Sequence, residues 1–217
     1  MKFLKLFWAI CLMIVISAVL SGCATVTENS FDAKQYGFAA PDTEARADGT
    51  FVLMPQNAPS ISQGFRPVIN EGLDIVGTAG TPVIAAAAGT VVYAFYESLY
   101  GNQIMIEHGI DNNGKYVRSG YRHLEQLMVS KGDKVIRGQQ IGTIGSSGYF
   151  AGCFPYLNYE VLVVDNPDKG RFEKVNPHSF WEGGPGVVTC YDSSKKLPDS
   201  PFKATYPVPC RKLIPNK

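Results

Sequence analysis

Histidine and cysteine are scarce in this chain, with three histidines (His108, His123 and His178) and five cysteines among 217 residues. A thiolate beside an imidazole makes a nucleophilic pair, and Cys153 with His123 is one conceivable instance. The plainer roles for Cys153 are a small buried thiol or a disulfide partner. Cys190 and Cys210 bracket a polar, proline-rich stretch and are the pair expected to form a disulfide in an oxidising compartment. Closing that loop contributes on the order of 3 kcal/mol.

The amino terminus supplies the compartment. Lys2 and Lys5 form a short basic region, and Leu6 to Leu20 is apolar apart from Ser17. A membrane span needs about 20 apolar residues, so this shorter run reads as a secretory signal over residues 1–22. Leu20-Ser21-Gly22-Cys23 resembles the lipobox of bacterial lipoproteins, in which cleavage precedes an acylated cysteine. The resemblance implies lipidation of Cys23, with Cys11 lost in the signal and Cys153 left as the odd thiol. Ala24 stands where an aspartate would signal inner-membrane retention, so outer-membrane sorting facing the periplasm is expected in a Gram-negative host. The chain has 20 basic and 19 acidic residues. Removing Lys2 and Lys5 with the signal leaves a balance of −1, which excludes electrostatic nucleic-acid binding.

Residues 23–59 are polar and small, and are expected to be a tether of roughly 35 Å as a flexible coil, with some order near Phe51-Val52-Leu53. Residues 60–165 are built of Val/Ile-rich runs cut by glycines: Pro82–Ala85, Thr90–Ala94, Gln103–Ile106, Lys134–Ile136, Gln140–Ile144 and Tyr159–Val164. Such runs, punctuated by Gly89, Gly114, Gly132-Asp133 and Gly138, predict an all-β domain. Ala85–Ala88 is too short for a helix. Residues 166–217 read as a loop-rich extension, packed on the domain and linked by the Cys190–Cys210 disulfide.

Several blocks in order resemble the M23 peptidase family, the LytM or lysostaphin-type domain. They are Asn70-Glu71-Gly72-Leu73-Asp74-Ile75 with Gly80–Val91, Tyr100–Gly109, Tyr121-Arg122-His123-Leu124 with Val129–Gly142, and Gly145-Ser146-Ser147-Gly148 leading to Pro155–Val161. The resemblance covers about 100 residues and implies an antiparallel LytM-type β-sheet domain. The family's chemistry is zinc-dependent cleavage of wall peptide cross-links, and a catalytic zinc takes about three protein ligands plus a water. Carried over, the zinc-ligand positions fall on Asn70, Asp74 and Asn158. The two assisting histidine positions fall on Tyr156 and on His123, which is retained.

Both zinc-binding imidazoles are therefore replaced by asparagine. An amide carbonyl is a hard, neutral donor, so neither metal nor cofactor is expected, with Asp74 the sole retained ligand. Asp74 alternatively reads as a turn residue capping backbone N–H groups, and His123 as a structural or groove-lining side chain. His108 and His178 are assigned structural roles. The resemblance implies an envelope pseudopeptidase whose groove, with Tyr121, Tyr156 and Tyr159 as contacts, binds peptidoglycan peptide or a cell-wall hydrolase. The alternative is an active zinc endopeptidase with substitute ligands. A third reading, a hybrid-barrel adaptor or carrier, matches Lys131–Gly142 but lacks a displayed lysine and any coiled-coil heptads.

Overall fold

The computed structural model describes residues 44–45 and 51–211. The signal, Cys23 and most of the tether lie outside the described residues. Twelve strands make up most of the regular structure: β1 (Glu44–Ala45), β2 (Phe51–Val52), β3 (Ile61–Gln63), β4 (Leu73–Val76), β5 (Pro82–Ile84), β6 (Gly89–Glu97), β7 (Gly101–Ile110), β8 (Tyr116–Leu127), β9 (Lys134–Val135), β10 (Gln140–Ile144), β11 (Tyr156–Val164) and β12 (Glu173–Val175). The helical content among the described residues is two 3-10 turns, Tyr149–Ala151 and Pro177–Phe180. β1 pairs with β2, and the remaining strands form one sheet with the path β3-β4-β11-β8-β7-β6-β9. Every strand pair is antiparallel. The fold is the all-β class expected from the sequence.

The runs read as strands become β5, β6, β7, β9, β10 and β11, while the longest strand, β8, carries no apolar run that would have announced it. Strand side chains alternate between faces. Val117, Ser119 and Tyr121 of β8 point into the core, whereas Arg118, Gly120 and Arg122 lie on the opposite face. A strand central to the sheet, with polar residues on one face, reads as polar in sequence although it is the spine of the domain.

The extension does more than decorate the domain. Trp181, Val188, Phe202, Ala204, Tyr206 and Val208 enter the same core cluster as Leu73, Ile75, Ile104 and Leu157. Trp181 stacks on Tyr159, with ring centroids 6.2 Å apart. Arg137 straps the extension down, donating from Nη1 to Ala86 O and Lys203 O, both at 2.8 Å. The amino-terminal boundary also shifts. Val52 and Met54 are buried in this core, and Leu53 exchanges backbone hydrogen bonds with Gly186 and Val188. The residues from 51 to 59, inside the stretch read as tether, thus pack on the domain, in keeping with the order expected near Phe51-Val52-Leu53, because apolar side chains there cover the extension.

Cys190 and Cys210 are disulfide-bonded, 20 residues apart. They enclose the segment that carries Phe202, Ala204 and Tyr206 into the core. Replacing both cysteines by serine is expected to cost about 3 kcal/mol through the freed loop entropy, read as a lower midpoint in chemical denaturation.

Candidate functional site

The groove of interest lies where β4, β8 and β11 run side by side. Asn158 of β11 sits directly across from Asp74 of β4 and from Arg122 of β8. Alternation along β11 sends Leu157, Tyr159 and Val161 into the core, and Tyr156, Asn158 and Glu160 to the groove face. The groove has a volume of about 370 Å³, and its lining includes Asn70, Asp74, His123, Tyr156 and Asn158. The five positions that the resemblance singles out thus converge. Asn158 Nδ2 donates to Asp74 Oδ1 at 2.7 Å and makes a longer contact with Asn70 Oδ1 at 3.4 Å. Gly72 permits this approach, since a Cβ there would lie 3.0 Å from Asn158 Nδ2 and 2.8 Å from Tyr159 O.

His123 is placed by a break in β8. Its φ of 65° interrupts the strand, and at this point β8 changes partner, from β11 up to Arg122 to β10 from Leu124 onward. The ring Nδ1 lies 3.0 Å from Ser147 O, so the neutral ring donates there and keeps Nε2 as an acceptor. Burial, opposed by the Ser147 hydrogen bond and assisted by the nearby Arg122 charge, holds His123 below the ordinary imidazole range. Tyr156 packs 4.9 Å from this ring, and its hydroxyl donates to Phe150 O at 3.3 Å. Burial, with a contribution from the Asp74 charge, pushes Tyr156 up to about 12.

Asp74 is raised to about 6, chiefly by burial and also by Glu160, against the hydrogen bond from Asn158 and the field of Arg66. Val68 is the second non-glycine residue with positive φ, at 71°. It stands 92% exposed on the groove rim beside Ile69. A β-branched residue in that region is strained by roughly 1–3 kcal/mol. Among the described residues, both strained non-glycine positions line this one groove.

Two expected contacts are corrected. Tyr121 and Tyr159 are fully buried and face the core, where Tyr121 Oη accepts from Ala86 N at 2.9 Å. They pair across β8 and β11, so they share a face, and that face is opposite to Arg122, Asn158 and Glu160. His108 is buried between Ala88 O and Ser119 Oγ, and His178 is buried against Trp181. Neither lines the groove. Cys153 is exposed, not buried, and is not among the residues that line the groove with His123.

The sequence reading missed an ion cluster on the groove face. Glu160 is buried between Lys174, at 3.0 Å, and Arg122, at 3.2 Å, and Lys174 also reaches Glu71 at 2.9 Å. Burial alone would lower Lys174, but the Glu160 and Glu71 carboxylates outweigh it and hold the ammonium above its ordinary value. Arg122 lies 3.9 Å over the Tyr100 ring. Glu160 was legible in principle, being two residues beyond Asn158 and therefore on the same strand face.

Residues 68–176 match peptidase family M23. The chain belongs to this family. Among its relatives, peptidoglycan DD-endopeptidase ShyC of Vibrio cholerae is 33% identical over 123 residues, which are 52% of this chain and 27% of that protein. Outer membrane antigenic lipoprotein B of Histophilus somni is 45% identical over 100 residues, 44% of this chain and 28% of its own length. The catalytic domain of lysostaphin from Staphylococcus simulans is 31% identical, over 57% of this chain and 86% of that one, with a TM-score of 0.42. The chain spans about a quarter of the length of the curated relatives it matches first.

M23 peptidases as a family imply zinc, and the donor set tests the fit. The three family ligand positions offer one carboxylate and two neutral amides, and Asn158 turns an N–H, not a lone pair, toward that carboxylate, while the other groove carboxylates, Glu71 and Glu160, are held by Lys174. Zinc prefers imidazole, thiolate and carboxylate donors, three of them at a catalytic site. These residues do not fit a catalytic zinc.

Proposed function

We propose that this M23-family protein is a lipid-anchored, non-catalytic component of the bacterial envelope whose groove binds peptidoglycan peptide. The reading rests on one observation above all: the groove is retained, while Asn70 and Asn158 stand at the family's zinc-ligand positions and Asn158 donates to both Asn70 and Asp74. Neutral amides, one of them turning its N–H toward the carboxylate, neither hold zinc nor acidify its water. The lipobox-like Leu20-Ser21-Gly22-Cys23 and the lipoprotein names of several relatives support anchoring through Cys23. The exposed apolar rim of Val68, Ile69, Tyr149 and Phe150 also suits a cell-wall hydrolase as partner. The competing reading is an active zinc endopeptidase, and its support is the names of relatives such as ShyC.

Metal analysis and sacculus assays separate these readings. The purified protein is expected to carry far less than one zinc per chain, to sediment with purified peptidoglycan sacculi and to release no peptide from them. Restoring both imidazoles in an Asn70→His, Asn158→His variant is expected to bring zinc to about one per chain. Stoichiometric zinc in the natural protein, lost together with wall cleavage in Asp74→Ala, would overturn the pseudopeptidase reading.

A further inference from the structure

The floor of the groove carries a carboxylate that forms no ion pair among the described residues. Asp74 is only 8% exposed. Its Oδ1 is taken by Asn158, and among the described residues no donor reaches Oδ2. Among the described residues the nearby cations bond to other groups, Arg66 reaching Asp74 only through its field. Lys174 bridges Glu71 and Glu160, Arg122 holds Glu160, and Arg66 donates to Gln63 at 3.0 Å. His123 is tied to Ser147 O. A buried carboxylate left without a counter-charge is costly, and this one opens onto a 370 Å³ groove.

Two further acceptors stand beside it. Asn70 Oδ1 receives only the 3.4 Å contact from Asn158, and Asn158 Oδ1 receives no donor among the described residues. A calcium-like ion would need six to eight oxygen ligands, and this cluster supplies too few. A primary ammonium has three N–H donors, and the three residues that line this part of the groove each carry a side-chain acceptor, one of them charged. Val68, Ile69 and Phe150 on the rim offer apolar surface for the methylene stem that an alkylammonium carries.

We infer that the groove recognises a primary ammonium on a peptidoglycan stem peptide, a side-chain amine left free of cross-linking, which Asp74 Oδ2, Asn70 Oδ1 and Asn158 Oδ1 receive together. This rests on the wall-binding reading above and names the group recognised. The protein would then sense stem peptides whose amines are not yet cross-linked, and would pass over those already joined.

Sedimentation of the full-length protein with purified sacculi tests this, using untreated sacculi and sacculi whose free amines have been acetylated with acetic anhydride. Acetylation is expected to weaken binding at least tenfold, and raised salt to weaken binding to untreated sacculi selectively. Asp74→Asn is expected to bind both preparations equally, at the weaker level, and its circular dichroism spectrum checks that it is folded. Equal binding of natural protein to both preparations would overturn ammonium recognition and leave wall binding standing. A preference for untreated over acetylated sacculi that persists unchanged in Asp74→Asn would overturn the assignment to this groove. Binding to neither preparation would remove the wall-binding reading and this inference with it.

Discussion

Replacing Glu160 by glutamine is expected to destabilise the fold by about 3–5 kcal/mol. Glu160 is 3% exposed and is the shared anion of Arg122 and Lys174, whose side chains are 11% and 22% exposed. Removing one member of a buried ion cluster leaves the others charged and desolvated, and that penalty exceeds the worth of the pair itself. Arg122 has little in reserve. Its Nε and Nη1 already lack acceptors, and its remaining support is the Tyr100 ring. Lys174 keeps Glu71, so the larger share of the loss falls on Arg122. For a domain of this size the change lowers the melting temperature by roughly 6–20 °C. Removing both charges together, in Glu160→Leu with Arg122→Met, is expected to cost much less than the single change. A loss below about 1 kcal/mol in Glu160→Gln would show that solvent reaches the cluster and screens it.

Asp74→Asn is expected to act in the opposite direction and to depend on pH. The carboxyl titrates at about 6 in the folded protein against 3.8 when unfolded, chiefly because burial disfavours its charge. The folded state therefore holds the proton more tightly. The stability this lends is fully present below pH 3.8 and is lost as the pH rises through 6. At pH 7.5 the ionised carboxylate weakens the fold by about 3 kcal/mol relative to its protonated form. An asparagine keeps an acceptor for Asn158 and does not ionise. The variant should match the natural protein near pH 4 and exceed it by about 2–3 kcal/mol at pH 7.5, as read from urea denaturation at both values. A constant difference across that range would place the Asp74 titration elsewhere.

A fold that keeps a destabilising carboxylate on its groove floor, with strained Val68 and His123 on the same groove, trades stability for a site. Proteins tolerate such local costs where binding or chemistry requires them. The two substitutions therefore probe different layers. Glu160 holds the groove's shape, and Asp74 holds its unbalanced charge.

The sequence by itself determined the family, the β class and the altered site. Ordered blocks and turn glycines are local signals, and the exchange of two imidazoles for Asn70 and Asn158 is visible without coordinates. The Cys190–Cys210 pair was legible for a similar reason, since its loop is short and its surroundings are polar. The tertiary structure alone decided which side of the sheet each residue faces. Tyr121 and Tyr159 were expected as groove contacts from the resemblance, yet they stand next to Arg122 and Asn158, and adjacent strand residues point to opposite faces. The carboxy-terminal extension covers the far face and makes it core, with Trp181 against Tyr159. Strand pairing likewise assembled Glu160, Arg122 and Lys174 from β11, β8 and β12, a long-range charge arrangement that no local pattern encodes. It also left Asp74 as the groove carboxylate with no ion pair among the described residues.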